Sequence, residues 1–167
     1  MVDRMVRTAM LLPSAYEEVE HDKDATLQAL AVVAMVAIAG AVGGGLASGL
    51  AGIIAAVVAA IVGWALFALI AYWVGTTLFR GPQTRASWGE LLRCVGFAQS
   101  PGVLRILLFL PLGIAILINV IVSIWILVAV VIAVRQALDF DTMRAIGTAL
   151  VAWIIQTVLT FIVFAVL

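Results

Sequence analysis

Every Asp, Glu, Lys, Arg and His of this chain lies in one of three short stretches, residues 3–24, 80–105 and 135–144. The intervening segments 25–79, 106–134 and 145–167 carry none. An ionised group in hydrocarbon is costly, so membrane sequences clear charge from their spans and collect it in water-facing loops. The pattern predicts an all-α, polytopic membrane protein. Barrel strands alternate apolar and polar positions, and these segments are continuously apolar.

Composition agrees. Hydrophobic residues make up 66% and charged residues 11% of 167 positions, against about 25% charged in soluble domains. The formal net charge is zero, which argues against nucleic acid as a partner. The single cysteine, Cys94, excludes an internal disulfide and offers no metal-ligand spacing. Six acidic residues in the first 24 positions argue against a cleaved signal peptide.

Residues 1–24 read as a cytosolic N-terminal segment ahead of a transmembrane domain over 25–167. Its first twelve residues set apolar side chains around Arg4 and Arg7, as in a segment lying on an anionic leaflet. Pro13 ends it, and Ser14-Ala15-Tyr16-Glu17 matches a capping box. The 55 charge-free positions 25–79 hold two spans of about 20 residues, near 26–45 and 50–78. The turn between them is Gly43-Gly44-Gly45-Leu46-Ala47-Ser48-Gly49. Trp73, with Tyr72 and Phe79, forms an interfacial belt before Arg80.

A hydrophilic loop is expected over 80–100, broken by Gly81-Pro82. Within it, Ser87-Trp88-Gly89-Glu90 matches a second capping box. Trp88, Leu91, Leu92 and Val95 follow at helical spacing, with Arg93 off that face, so an amphipathic helix in the interface is predicted. The alternative is an extension of the next span. Residues 101–137 read as two short spans, 101–117 and 120–137, turning at Asn119, or as one long helix. Pro111, Gly113 and Asn119 favour the interruption. Arg105 can snorkel to the nearer interface. The last span is placed at 145–166, with Asp139 or Asp141 as its N-cap.

With five spans all nine Lys and Arg fall on one side of the membrane. With four, Arg135 and Arg144 would be exported. The positive-inside rule therefore favours five spans, a cytoplasmic N-terminus and an outside C-terminus. The expected location is the plasma (cell inner) membrane.

Chemistry is sparse. His21, the only histidine, sits in an acidic hydrophilic segment and reads as solvated. No span carries a carboxylate for proton relay, which weighs against coupled transport. The acidic cluster at 17–24 has no EF-hand spacing, and no glycine loop cradles phosphate. No catalytic, cofactor or metal residue is assigned, and no enzyme is expected. Gly40 and Gly44 are read as a helix-packing pair. Gly45 and Gly49 are read as turn. Ser123, Gln156, Thr157 and Thr160 are available for bonds across helices.

The order of parts resembles the Yip1 family in its short bacterial form. The resemblance rests on Pro13-Ser14-Ala15-Tyr16-Glu17-Glu18, the glycine-linked hairpin, Trp88-Gly89-Glu90-Leu91-Leu92-Arg93, and Gly96-Phe97-Ala98-Gln99-Ser100-Pro101. Leu110-Pro111-Leu112-Gly113, Ile124-Trp125 and Val134-Arg135-Gln136-Ala137-Leu138 continue it. It implies five helices and a cytosolic N-terminus. Eukaryotic relatives bind Rab-type GTPases, but this chain lacks their long N-terminal arm and Asp-Leu-Tyr-Gly-Pro segment, so that partner is not carried over. The expected role is non-enzymatic and rests on contact with the lipid bilayer, self-association or other membrane proteins. A passive channel or small-solute carrier, and a lipid-handling or membrane-shaping protein, are the alternatives.

Overall fold

The computed structural model describes residues 1–45, 49–81, 84 and 86–166. Leu46, Ala47, Ser48, Pro82, Gln83, Arg85 and Leu167 lie outside the described residues. This covers the middle of the glycine turn and part of the loop after Arg80. Among the described residues there are seven α-helices: α1 Val2–Ala9, α2 Pro13–His21, α3 Ala25–Gly43, α4 Gly49–Thr77, α5 Trp88–Ala98, α6 Leu112–Ala137 and α7 Thr142–Val166. A 3-10 segment, Ser100–Phe109, follows α5. The fold is all-α, and among the described residues five elements are long and apolar enough to cross a membrane: α3, α4, α5 with the 3-10 segment, α6 and α7.

The third and fourth spans differ from the sequence reading. The third runs from Trp88 to Phe109, not 101–117, and the fourth is α6 from Leu112, not 120–137. The loop after Arg80 therefore ends at Ser87 instead of continuing to residue 100. The turn falls at Leu110-Pro111, because proline is accepted at a helix start and forbidden in its interior. Asn119 lies inside α6, about 10 Å along the axis from Leu112. The 3-10 geometry begins at Ser100, just before Pro101, which has no N–H to give, and the Gly102 N–H bonds back to the Gln99 carbonyl at 2.7 Å. Its steeper rise lets the 22 residues of this span cover about 37 Å, close to the ~39 Å of α6.

Two helix starts separate the capping signals. Ser87 accepts from the Glu90 N–H at 3.3 Å and Glu90 accepts from the Ser87 N–H at 2.7 Å, a complete capping box. The Ser14 box does not form: Pro13 opens α2 instead of ending the segment before it, with Leu12 as N-cap. Asp141 caps α7, accepting from the Arg144 N–H at 3.0 Å.

Packing is concentrated at the end of the bundle that carries the N-terminus. Trp64, Ala68, Val74, Leu91, Val95, Phe97, Ala133, Val134, Ala145 and Ala152 are all buried there. At the opposite end, residues 112–121 of α6 and the described side chains of α7 from Trp153 onward contribute no buried residue. The bundle is closed at one end and splayed at the other.

Candidate functional site: an intramembrane cavity beneath a latched N-terminal hairpin

At the closed end α1 and α2 form an antiparallel hairpin docked on the spans. Arg4 Nε reaches Glu18 at 2.8 Å and its Nη1 reaches Asp22 at 2.7 Å, while Arg7 reaches the other Glu18 oxygen at 2.6 Å. Hydrogen bonds from Arg4 and Arg7 hold the Glu18 carboxyl below its ordinary range, and Arg4 does the same for Asp22. Burial instead pushes the Glu20 carboxyl up to about 7.

Arg93 fixes the hairpin to the third span. It is 7% exposed, and its guanidinium donates to the Val19 carbonyl at 3.1 Å and to the Glu20 carbonyl. A cation thus meets the last carbonyls of α2, where the helix dipole is negative. Tyr16 Oη donates to the Thr8 carbonyl at 3.0 Å, and Cys94 Sγ to the Tyr16 carbonyl at 3.5 Å. The Trp125 indole, midway along α6, donates to the Ala9 carbonyl at 2.7 Å. The first helix is therefore tied to the interior of the bundle. Its Val2 and Val6, with the C-cap Met10, still face outward as one stripe.

The predicted interfacial residues divide. Leu91 and Val95 are fully buried in the core, and Leu92 is half-buried, its carbonyl accepting from the Trp64 indole at 2.8 Å. Amphipathic spacing at 88–95 marks a helix packed among α2, α3, α4 and α6, not one lying on lipid. Trp88 and Trp73 are exposed near the closed end. Gly40 and Gly44 are not the close contact on α3. A methyl at Gly40 would meet only Arg105 Cδ at 3.9 Å, and Gly44 is the C-cap. The close approach is at Gly43, where a Cβ would overlap the Arg105 carbonyl oxygen.

The splayed half encloses a cavity of about 800 Å³ between α3, α4, the third span, α6 and α7. Its apolar wall includes Ala37, Ala56, Ala60, Phe67 and Leu127. Trp153, Leu127 and Phe161 line it while remaining 61%, 59% and 77% exposed, so it opens sideways between α6 and α7. Six polar side chains reach it: Gln99, Arg105, Ser123, Gln156, Thr157 and Thr160. Thr157 and Thr160 give their hydroxyl protons to carbonyls of their own helix, and Gln156 Nε2 donates to the Gly63 carbonyl at 2.9 Å. Arg105 reaches Ser123 Oγ at 3.3 Å through Nη2, while its Nε is buried with no partner.

The Yip1 domain profile matches residues 11–164. The chain belongs to the Yip1 family. The match covers all five spans, and the membrane class of the family agrees with the fold. No curated protein and no solved structure matches the chain. Sequence reading put Arg105 near the start of a span over 101–117, snorkelling back to the charged face. In a span starting at Trp88 it lies toward the opposite end, inside the Yip1 bundle. No group of three or more His, Cys, Asp or Glu that could hold a metal ion occurs among the described residues.

Proposed function

We propose that this Yip1-family protein is a non-enzymatic membrane component that works by accommodating a lipid in the splayed half of its bundle. The observation that carries this is the cavity of about 800 Å³, within the 300–1,000 Å³ typical of small-molecule sites. It has an apolar wall and a lateral mouth between α6 and α7. Lipid tails are the molecules that reach such a mouth without crossing water. The N-terminus faces the cytosol: seven of the eight Lys and Arg among the described residues lie at or near the closed end, and the sequences linking α3 to α4 and the third span to α6 carry none. The membrane is the plasma membrane, in keeping with the short bacterial form of the family.

Native mass spectrometry of the full chain released from mild detergent tests this reading. Wild type is expected to retain one or more lipid molecules, and Ala60→Phe, which fills the cavity wall, to lose at least one. Equal lipid retention by the two proteins overturns it. So does a lipid-free dimer, which would make the open face an interface between copies.

A further inference from the structure

Arg105 is a cation inside a membrane span with no acidic partner within ion-pair distance among the described residues. Its Nε is shielded from solvent and donates to nothing, and Ser123 satisfies only one other N–H. A guanidinium carries five N–H donors in a rigid fork and no acceptor. Leaving a charged donor of this kind desolvated and unpaired is costly. The cost is relieved when an acceptor enters the cavity.

The surroundings select the sign of that acceptor. Gln99 also faces the cavity, and its side chain makes no hydrogen bond among the described residues. No Asp or Glu lines the cavity. The nearest carboxylates in sequence belong to the closed end, at Glu90 and Asp139. Arg105 supplies the one formal charge on the cavity lining, so the site favours an anion. Arg105 lies four residues before Phe109, about 8 Å along the 3-10 axis from the outer end of its span. The side chain runs inward from there, past Gly40 to Ser123, about 16 Å along α6 from Leu112, so an anion held by the guanidinium is drawn below headgroup depth towards Gln99.

We infer that Arg105, assisted by Gln99, binds the phosphate of an anionic lipid whose acyl chains occupy the cavity. The lipid enters between α6 and α7 from the leaflet opposite the N-terminus. This rests on the lipid-accommodating reading above and adds the headgroup class to it. Fork-shaped bidentate pairing suits arginine to phosphate. The arginine stem lies along α3, where a methyl placed on Gly40 would stand in ordinary contact with Arg105 Cδ at 3.9 Å.

The test compares phosphatidylglycerol with phosphatidylcholine of identical chains, supplied in equimolar mixed micelles to the full chain and read as bound adducts by native mass spectrometry. Wild type is expected to favour phosphatidylglycerol by about tenfold, the scale of one charge-assisted hydrogen bond. Arg105→Gln should still bind lipid but with a ratio near one. Arg105→Lys should keep most of the preference. Arg80→Gln, at the closed end, should leave the ratio unchanged.

An unchanged ratio in Arg105→Gln overturns the inference while leaving lipid binding intact. Loss of preference in Arg80→Gln overturns it in favour of annular lipid at the other face. Displacement of phosphatidylglycerol by millimolar inorganic phosphate overturns it in favour of a soluble anion. Absence of any lipid adduct on wild type removes the underlying reading as well.

Discussion

Replacing Gly43 with alanine is expected to force α3 and the 3-10 segment apart. A Cβ at Gly43 would fall on the Arg105 carbonyl oxygen and within 3.0 Å of the Arg105 carbonyl carbon and the Ile106 oxygen. All three atoms are backbone, so no rotamer change clears the space and one helix must move. Overpacking of this kind costs about 1–3 kcal/mol. The gain from alanine at the last residue of α3 is well below the ~1 kcal/mol of a helix interior. Net destabilisation is about 1–2 kcal/mol, or roughly 3–6 °C in melting temperature for a domain of this size. Gly40→Ala is the internal control. Its nearest neighbour is the flexible Arg105 Cδ at 3.9 Å, so it should be neutral or stabilising by about 0.5 kcal/mol. Thermal unfolding in one mild detergent, followed by intrinsic fluorescence, separates the two. Equal losses at Gly40 and Gly43, or an unshifted Gly43→Ala, would falsify the close contact and return the packing surface to the Gly40/Gly44 spacing.

Arg93→Met should free the end of α2, at a cost of about 1.5–3 kcal/mol for each charge-assisted bond lost, and should raise maleimide labelling of Cys94, which is fully buried in wild type; a Cys94 labelling rate equal to wild type counts against the latch. Stability should pass through an optimum in pH. The depressed Glu18 and Asp22 contribute stability that is present above their ordinary values of 4.5 and 3.8 and disappears as pH falls through the depressed folded values. Glu20 has the opposite sign: its carboxyl, raised to about 7, favours the fold below 4.5, and that contribution is lost as pH rises through 7. Glu20→Gln should therefore melt higher than wild type at pH 8.5 and no higher at pH 4.5, and identical curves at both would refute the burial argument. For topology, Gly113→Cys, with open space around its Cβ, should label only from the side opposite the N-terminus, whereas Asn119→Cys should label slowly from either side; labelling of Gly113→Cys from the N-terminal side would rule out five spans.

The number of spans was legible because hydrocarbon thickness and the cost of charge act on sequence directly. The borders of the third span were not. Residues 88–98 show apolar positions at helical spacing beside Arg93 and Glu90, the same signature that an interfacial helix gives. What separates the two is the partner of Arg93. The carbonyls of Val19 and Glu20, about 73 residues earlier in the chain, satisfy the guanidinium, and no local pattern announces them. Backbone acceptors carry no sequence signal at all, so a buried arginine that binds carbonyls reads as a surface arginine. The α1–α2 ion pairs were hidden for a related reason: Arg4 and Arg7 were visible, and so were Glu18 and Asp22, but their pairing depends on the chain reversing at Leu11, which takes a positive φ of 61°.

Arg93 and Arg105 stand on one membrane element and show what a partner changes. Both would be excluded from a span by composition alone. Arg93 lies within the first two turns, near water, and its donors meet helix-end carbonyls, so its charge serves the fold. Arg105 lies toward the other end. There Gly43 brings the backbones of α3 and the 3-10 segment so close that the arginine side chain extends past Gly40 into the cavity, and the protein supplies only a serine oxygen for it. An Arg105 kept for a ligand is replaceable in the empty fold by an apolar residue with a gain in stability, since removing a half-buried charge without an acidic partner relieves desolvation. Arg105→Met should accordingly raise the melting temperature of lipid-stripped protein and lower the additional stabilisation that anionic lipid confers. Opposite signs in those two measurements require a residue held at a cost to the empty fold for the sake of what enters it. A drop in both would make Arg105 a packing residue and leave the cavity without a head-binding group.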